Sequence, residues 1–311
     1  MKKTFQKTLI AAAAGVALMS AVGTASANSL LFPYFTTVTG AQSVLSLSNT
    51  GAAAATQVVH YVYNYGSACT HFDANGSLTA NDILSHSIAA TTAGGFGKVV
   101  GSDTSVPVYF PLANQTGFLV VSSKTTNSTT ALRGSMAIVD PASGLVVSYP
   151  GIDNAADTSL AAGEGNFSAI VDLSFPLTTM PSAAVTTSWY GVVVGDMSAD
   201  IAAGRDWKAG ANFNNNGFVY NNDEVAYSGT TSKIITCAGA ITATDLMTGA
   251  QAAAVGTNGG LVKTTATAVA PTAPSVGTTT GVVMMKMQTV QAAVGAPFAG
   301  KQFLHREQAG L

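Results

Sequence analysis

Ions are what this sequence has least of. Of its 311 residues, 13 are Lys or Arg and 15 are Asp or Glu, so charged side chains make up 9%, against roughly a quarter in an ordinary soluble domain. With so few cations nothing is available to neutralise a row of phosphates, which excludes nucleic-acid binding. Carboxylates are too sparse to form an evident acid/base pair of the kind glycoside hydrolysis requires. The histidines at 60, 71, 86 and 305 and the many serines form no Gly-x-Ser-x-Gly elbow, no His-Glu-x-x-His pair and no glycine loop that would cradle phosphate. No catalytic residue and no cofactor are therefore expected, and His60 reads as a structural histidine.

Long apolar runs are also missing. Past the N-terminal leader no segment approaches about eighteen continuous apolar residues, so the mature chain is expected to have no transmembrane segment. The last residues, Phe303 to Leu311, have neither a hydrophobic tail nor a terminal aromatic, features that would mark a sorting tail or an outer-membrane barrel.

The leader itself is informative. Lys2, Lys3 and Lys7 form a positive start, Leu9 to Met19 an apolar core too short to span a bilayer, and Ala25-Ser26-Ala27 the small residues a signal peptidase reads. Residues 1–27 are expected to be a signal peptide cut between Ala27 and Asn28. The leader takes three of the 13 basic residues, leaving ten against 15 acidic ones and a formal charge of −5. The surface must then be covered by Thr, Ser, Asn and Gly, which suits exported proteins that pack against copies of themselves or against polymers, because few ions must be desolvated on contact.

Cysteine is as scarce as charge. The two present, Cys69 and Cys237, are expected to form one disulfide in an oxidising compartment, closing a long loop. The competing reading is a metal site: Cys69, His71 and Asp73 alternate, so on a strand all three would project from one face.

What remains is β signal along the whole chain, and the fold class expected is all-β. In Gln57 to Tyr65 the residues Val59, Tyr61, Tyr63 and Tyr65 share one face and Val58, His60, Val62 and Asn64 the other. Phe118 to Ser123 reads as a strand, Met136 to Val139 with Leu145 to Tyr149 as a hairpin, and the alternation of Val283, Met285 and Met287 with Met284, Lys286 and Gln288 as a half-buried strand. Thr264 to Thr280, rich in Thr, Ala and Pro, reads as a long loop.

Three internal matches suggest a duplication. Phe72 to Asp82 aligns with Phe213 to Asp223, Phe32-Pro33 with Phe175-Pro176, and Gly117 to Val120 with Gly259 to Val262, all at offsets of 141 to 143. The expected organisation is two similar β-sandwich-like units, residues 28–160 and 161–311, or one continuous β domain, with one cysteine in each half. Asp73 to Asp82 carries oxygen ligands at alternate positions, but its glycine is misplaced for a calcium loop and Leu84 stands where the bidentate glutamate belongs. It reads instead as a hairpin turn at Asn75-Gly76, repeated at Asn216-Gly217. Asn28 to Phe35, freed by cleavage, is either the first strand of its own sheet or a donor strand for a neighbouring copy.

The composition points first to an extracellular or cell-surface structural protein whose partners are copies of itself, as in a surface layer, sheath, filament or matrix; the periplasm is the other oxidising destination. A glycan-binding module or adhesin that sets Tyr61, Tyr63, Trp189 or Trp207 against a cell-surface polysaccharide is the alternative, and a secreted hydrolase the third.

Overall fold

In a computed structural model the chain is all-β, with four sheets of antiparallel strands. The structure describes residues 29–38, 41–49, 56–89, 98–99, 114–124, 132–140, 145–153, 165–168, 171–215, 217–291 and 302–307. The leader and the Ala27–Asn28 cleavage site lie outside these residues. Two compact units are formed, one from residues up to Gly66 together with His71–Asn166, the other from Ser67–Thr70 together with Phe167 onward.

The first unit contains β1 (Ser29–Thr36), β2 (Gln42–Asn49), β3 (Gln57–Tyr65), β4 (Thr70–Leu78), β5 (Ile83–Ala89), β6 (Lys98–Val99), β7 (Thr116–Ser123), β8 (Leu132–Asp140), β9 (Leu145–Pro150) and β10 (Ile152–Asp153). One sheet runs β10-β1-β7-β3-β4 and the other β6-β5-β2-β8-β9. β2 shows the period-two rule plainly: Ser43, Leu45, Leu47 and Asn49 are buried, and Gln42, Val44, Ser46 and Ser48 are half-buried.

The second unit contains β11 (Ser174–Thr179), β12 (Val185–Asp196), α1 (Ser198–Ala202), β13 (Gly210–Asn214), β14 (Val219–Asn221), β15 (Ala226–Tyr227), β16 (Ser232–Thr236), β17 (Ala238–Thr242), α2 (Ala243–Leu246), α3 (Gly249–Asn258), β18 (Gly260–Val269), β19 (Thr278–Val290) and β20 (Gln302–Glu307). Its sheets run β15-β14-β18-β13-β16, with β11 also on β18, and β17-β12-β19-β20.

Set side by side, the units share a strand order. The first contains β1-β7-β3-β4 and β5-β2-β8-β9; the second contains β11-β18-β13-β16 and β17-β12-β19-β20. Taken in chain order, these eight strands occupy the same places in both. The Phe-Pro pairs fall on the equivalent strands β1 and β11, and the Gly117 and Gly259 segments on the equivalent β7 and β18. Phe72 and Phe213 fall on β4 and β13, which are not equivalent. A Cβ on Gly117 would strike the carbonyl of Asn64, and one on Gly260 the carbonyl of Tyr220. Each of β7 and β18 thus has, in its first two residues, a glycine that lets a neighbouring backbone approach.

Three sequence expectations need correction. Asn75-Gly76 lies inside β4; the chain turns instead at Thr79 to Asp82, where the Asp82 carboxylate accepts hydrogen bonds from the Thr79 amide (3.1 Å), the Thr79 hydroxyl (3.2 Å) and the Ile83 amide (2.9 Å). Asn81 takes the left-handed φ of 60° that this turn demands, which asparagine tolerates better than most residues. An aspartate able to bond its own turn outcompetes the Asn-Gly signal. In the second unit Gly217 does lie in a turn, with φ of 76°.

The Thr264–Thr280 segment is mostly strand, since β18 runs to Val269 and β19 begins at Thr278. Its threonines and alanines alternate by burial, Thr264 and Ala266 inward and Thr265 and Thr267 outward. The connection that remains is fixed by buried Asp200, whose carboxylate accepts from the Ser275 hydroxyl (2.8 Å) and the amides of Val276 and Gly277 (both 2.9 Å).

β19 is not half-buried, because Met284 and Met285 on opposite faces are both inaccessible and Lys286 is 6% exposed. The Lys286 ammonium donates to the Thr178 hydroxyl at 2.6 Å. β3 is likewise covered on both faces past Val58.

For the segment after the leader the first-strand reading holds: Ser29 to Thr36 is buried at every position and paired on both sides, with β7 and with β10. It belongs to its own sheet. Leu31, Phe32 and Phe35 are fully inaccessible, and burying each such side chain stabilises by about 1.5–3 kcal/mol. Deleting residues 29–36 should therefore leave the first unit unfolded; a deletion variant that keeps its β circular dichroism and resists proteolysis would contradict this.

Candidate functional site

The sequence singled out β3 and β4, and the structure brings chemistry together there. Tyr61 and Tyr63 stack with centroids 6.5 Å apart, Phe35 meets Tyr63 edge-on at 6.0 Å, and Phe72 lies 6.1 Å from Tyr63. All of this is core, for Tyr61 is inaccessible and Tyr63 2% exposed. Burial pushes the Tyr63 phenol well above its ordinary pKa, with neighbouring Tyr61 adding to the shift. Trp189 and Trp207 are equally hidden, at 0% and 1%, and the Trp207 indole N–H is satisfied by the Val193 carbonyl at 2.8 Å. None of the four aromatics expected to meet a glycan presents its ring to solvent. Alternation showed which of them share a face, but not whether something covers that face.

Opposite the aromatic side of β3, buried His60 places Nε2 3.7 Å from Oδ1 of Asp73, and His71 places Nε2 3.6 Å from Oδ2 of the same carboxylate. Cys69 does not join them, because its sulfur is bonded to Cys237. Among the described residues no group of three or more His, Cys, Asp or Glu side chains is arranged to hold a metal ion. The cluster is one carboxylate shared by two imidazoles, and it includes no nucleophile.

The disulfide is the best-defined covalent feature. Cys69 and Cys237 are 0% and 1% exposed, with Cα atoms 5.7 Å apart and a sequence separation of 168. Cys69 sits in the tip of the β3–β4 hairpin, the Ser67–Thr70 segment that belongs to the second unit, so the bond is internal to that unit. Cys237 is the single residue between β16 and β17, where the chain leaves one sheet for the other. Its amide donates to the Ala209 carbonyl (2.6 Å), and its carbonyl accepts from the Val193 amide (2.8 Å). Both cysteines take left-handed φ values, 59° and 64°.

The second unit adds an amide-rich end that the sequence did not flag. Asn215 is inaccessible; its Nδ2 donates to the Leu246 carbonyl (2.8 Å) and to Gln251 Oε1 (3.4 Å), while its Oδ1 accepts from the amides of Gly217 (3.0 Å) and Thr231 (3.3 Å). Gln251 Nε2 donates onward to the carbonyls of Tyr227 (3.2 Å) and Gly229 (2.9 Å). These two amides tie the β14–β15 excursion to α3. Nearby, Phe218 is half exposed and the Lys263 ammonium lies 5.8 Å from the centre of the Tyr220 ring. Among the described residues no helix is long and apolar enough to cross a membrane.

No family model matches the chain, and no curated protein does. The crystal structure of Thermotoga maritima 1070 is similar at 9% identity over 41% of this chain and 94% of that one, with a TM-score of 0.27. A likeness at that score carries no argument about function.

Two measurements test the energetics. Replacing Cys69→Ser and Cys237→Ser together should lower stability by about 3–5 kcal/mol, because so long a loop is released in the unfolded chain. An unchanged denaturation midpoint would contradict that. At α2, desolvation raises the Asp245 pKa, but hydrogen bonds from the Thr242 amide and hydroxyl and from Lys233 outweigh it, and the carboxyl ends below its ordinary value. The ionised form thus stabilises the fold at neutral pH, and that contribution disappears as the pH falls through the lowered folded-state pKa. Asp245→Asn should cost about 1 kcal/mol at neutral pH and progressively less in acid; a cost independent of pH would show that the charge is irrelevant.

Proposed function

We propose that this protein is an exported structural subunit that associates with copies of itself outside the cytoplasm. The observation that carries the reading is the chemistry of the outward sheet faces. On the β2 sheet of the first unit the outward positions include the half-buried Ser46, Ser48, Ser85 and Val44, and Arg133 is the one ion among the described outward positions of β2, β5, β8 and β9. Ser46 and Ser85 even bond to each other across the strands at 2.7 Å. On the β18 sheet of the second unit the outward positions of β11, β13, β16 and β18 are filled by Ser, Thr, Asn, Pro, Gly, Leu, Ile and Val, with Lys263 the one ion among those described. Such faces meet another surface without stripping water from ions.

Export is supported by the leader and by a buried disulfide, a bond that persists in oxidising compartments. The shared strand order and the paired glycines of β7 and β18 support a further part of the reading, that the two units arose by duplication of one sandwich-like ancestor. The burial of Tyr61, Tyr63, Trp189 and Trp207 removes the residues on which a glycan platform would have rested.

The test is the state of the processed protein. Material recovered from outside the cytoplasm should begin at Asn28 by mass spectrometry and form ordered assemblies in light scattering and electron microscopy. A monomer at every concentration, or an unprocessed chain held in the cytosol, would overturn the reading.

A further inference from the structure

Edge strands decide whether a β protein remains alone, and proteins blunt them with charge, proline or extreme shortness. Most terminal strands here follow that rule. β10 carries Asp153, β4 carries His71 and Asp73, β6 carries Lys98, β16 carries Lys233 and β20 carries Arg306 and Glu307. Among the described residues β11 pairs with β18 alone, and it is interrupted by Pro176; β15 is only two residues long. Two terminal strands break the pattern. β17 contains no ion, no histidine and no proline, and β9 has no blunting residue before its last, Pro150. Each pairs with one neighbour, β17 with β12 and β9 with β8, and neither has a second partner strand among the described residues.

The two bare edges also differ in a complementary way. β9 offers β-branched bulk, with Val146 63% exposed and Val147 half-buried beside it. β17 begins on Ala238-Gly239-Ala240, of which Ala240 is exposed and the other two are half-buried. Pairing β9 with another β9 would crowd valines together, and pairing β17 with another β17 would leave little side-chain surface to bury. Pairing β9 with β17 places bulk beside small residues over similar lengths of strand.

From this, resting on the self-association reading above, we propose that copies of this chain join head to tail by main-chain hydrogen bonding between β9 of one molecule and β17 of the next. One strand belongs to each unit, so the contact is heterologous. Each addition leaves a fresh β9 at one end and a fresh β17 at the other, and the assembly grows as an open chain unless its geometry happens to close a ring. The occupant is a second copy because the same molecule defends its other edges, and because the two undefended ones match each other.

The experiment places a lysine on each edge at an exposed position where the fold tolerates it. Val146→Lys blocks β9, Ala240→Lys blocks β17, and Thr267→Lys, on an exposed outward position of the interior strand β18, controls for added charge. Light scattering of the processed proteins, with circular dichroism to verify folding, should show assemblies for wild type and T267K and monomers for V146K and A240K. Mixing V146K with A240K should give one-to-one pairs and nothing larger, since each supplies the edge that the other lacks. V146K and A240K assembling as wild type does would overturn the edge pairing while leaving self-association intact. Homodimers of either single variant, or no pairs in the mixture, would overturn its head-to-tail character. A monomeric wild type would overturn the self-association reading itself.

Discussion

A protein with fewer than one charged residue in ten must satisfy its buried polar groups with backbone, amides and hydroxyls, and every level of this structure reflects that constraint. Inside, the few ions that are buried are heavily bonded. Asp200 accepts three hydrogen bonds from the segment before β19, and Lys286 donates to a threonine. Where another protein would use a salt bridge to fix an irregular segment, this one uses Asn215 and Gln251, neutral groups that donate and accept at once and incur a smaller desolvation cost. Outside, the same scarcity leaves hydroxyl and amide faces, and it leaves some sheet edges without the charges that normally guard them.

The disulfide belongs to the same economy of means. Cys237 stands alone between two strands in different sheets, and a one-residue crossing forces the backbone through a tight bend. The left-handed conformation found there is one that glycine or asparagine adopts more readily than cysteine. Cys69, in the tip of the β3–β4 hairpin, adopts it too. Two cysteines held at positions that suit glycine are there for their sulfur, and the covalent bond fixes the bend at Cys237 that a salt bridge would otherwise have to hold.

The parts of the fold legible from the residues were those set by period-two chemistry and by thiol count. The all-β class, the β8–β9 hairpin, β7 and the Cys69–Cys237 bond follow from alternation, turn composition and the presence of two cysteines behind a leader that reads as an export signal. The misses have separate causes. Alternation identifies the residues that share a face and is silent on what covers it, so it does not reveal that Tyr61, Tyr63 and Met285 are buried. Thr-Ala alternation is too weakly hydrophobic to stand out, so the second half of β18 looks like loop in the sequence. Asn75-Gly76 lost to an aspartate that closes its own turn. The Asn215–Gln251 network could not have been found, because buried asparagine and glutamine look like any surface amide until the fold brings them together.

The comparison of the two units carries the argument furthest. If one ancestral sandwich gave rise to both, the differences between them show where the second copy acquired something new. Between β3 and β4 the chain has only the short hairpin tip that carries Cys69. The second unit has the β14–β15 excursion at that place, and it has α2 and α3 between the strands equivalent to β5 and β7. These two additions are bound to each other by Asn215 and Gln251 and by the Asn258 amide on Asp223 (2.7 Å). Together they extend one end of the second unit, where they hold the exposed Phe218 and the Lys263–Tyr220 contact in place. The strand framework common to both units is thus the part that any sandwich of this order needs in order to fold. The amide-tied additions set the second unit apart from the first, and the bare edges of β9 and β17 lie one on each unit, so the proposed head-to-tail growth rests on a difference between the two units themselves.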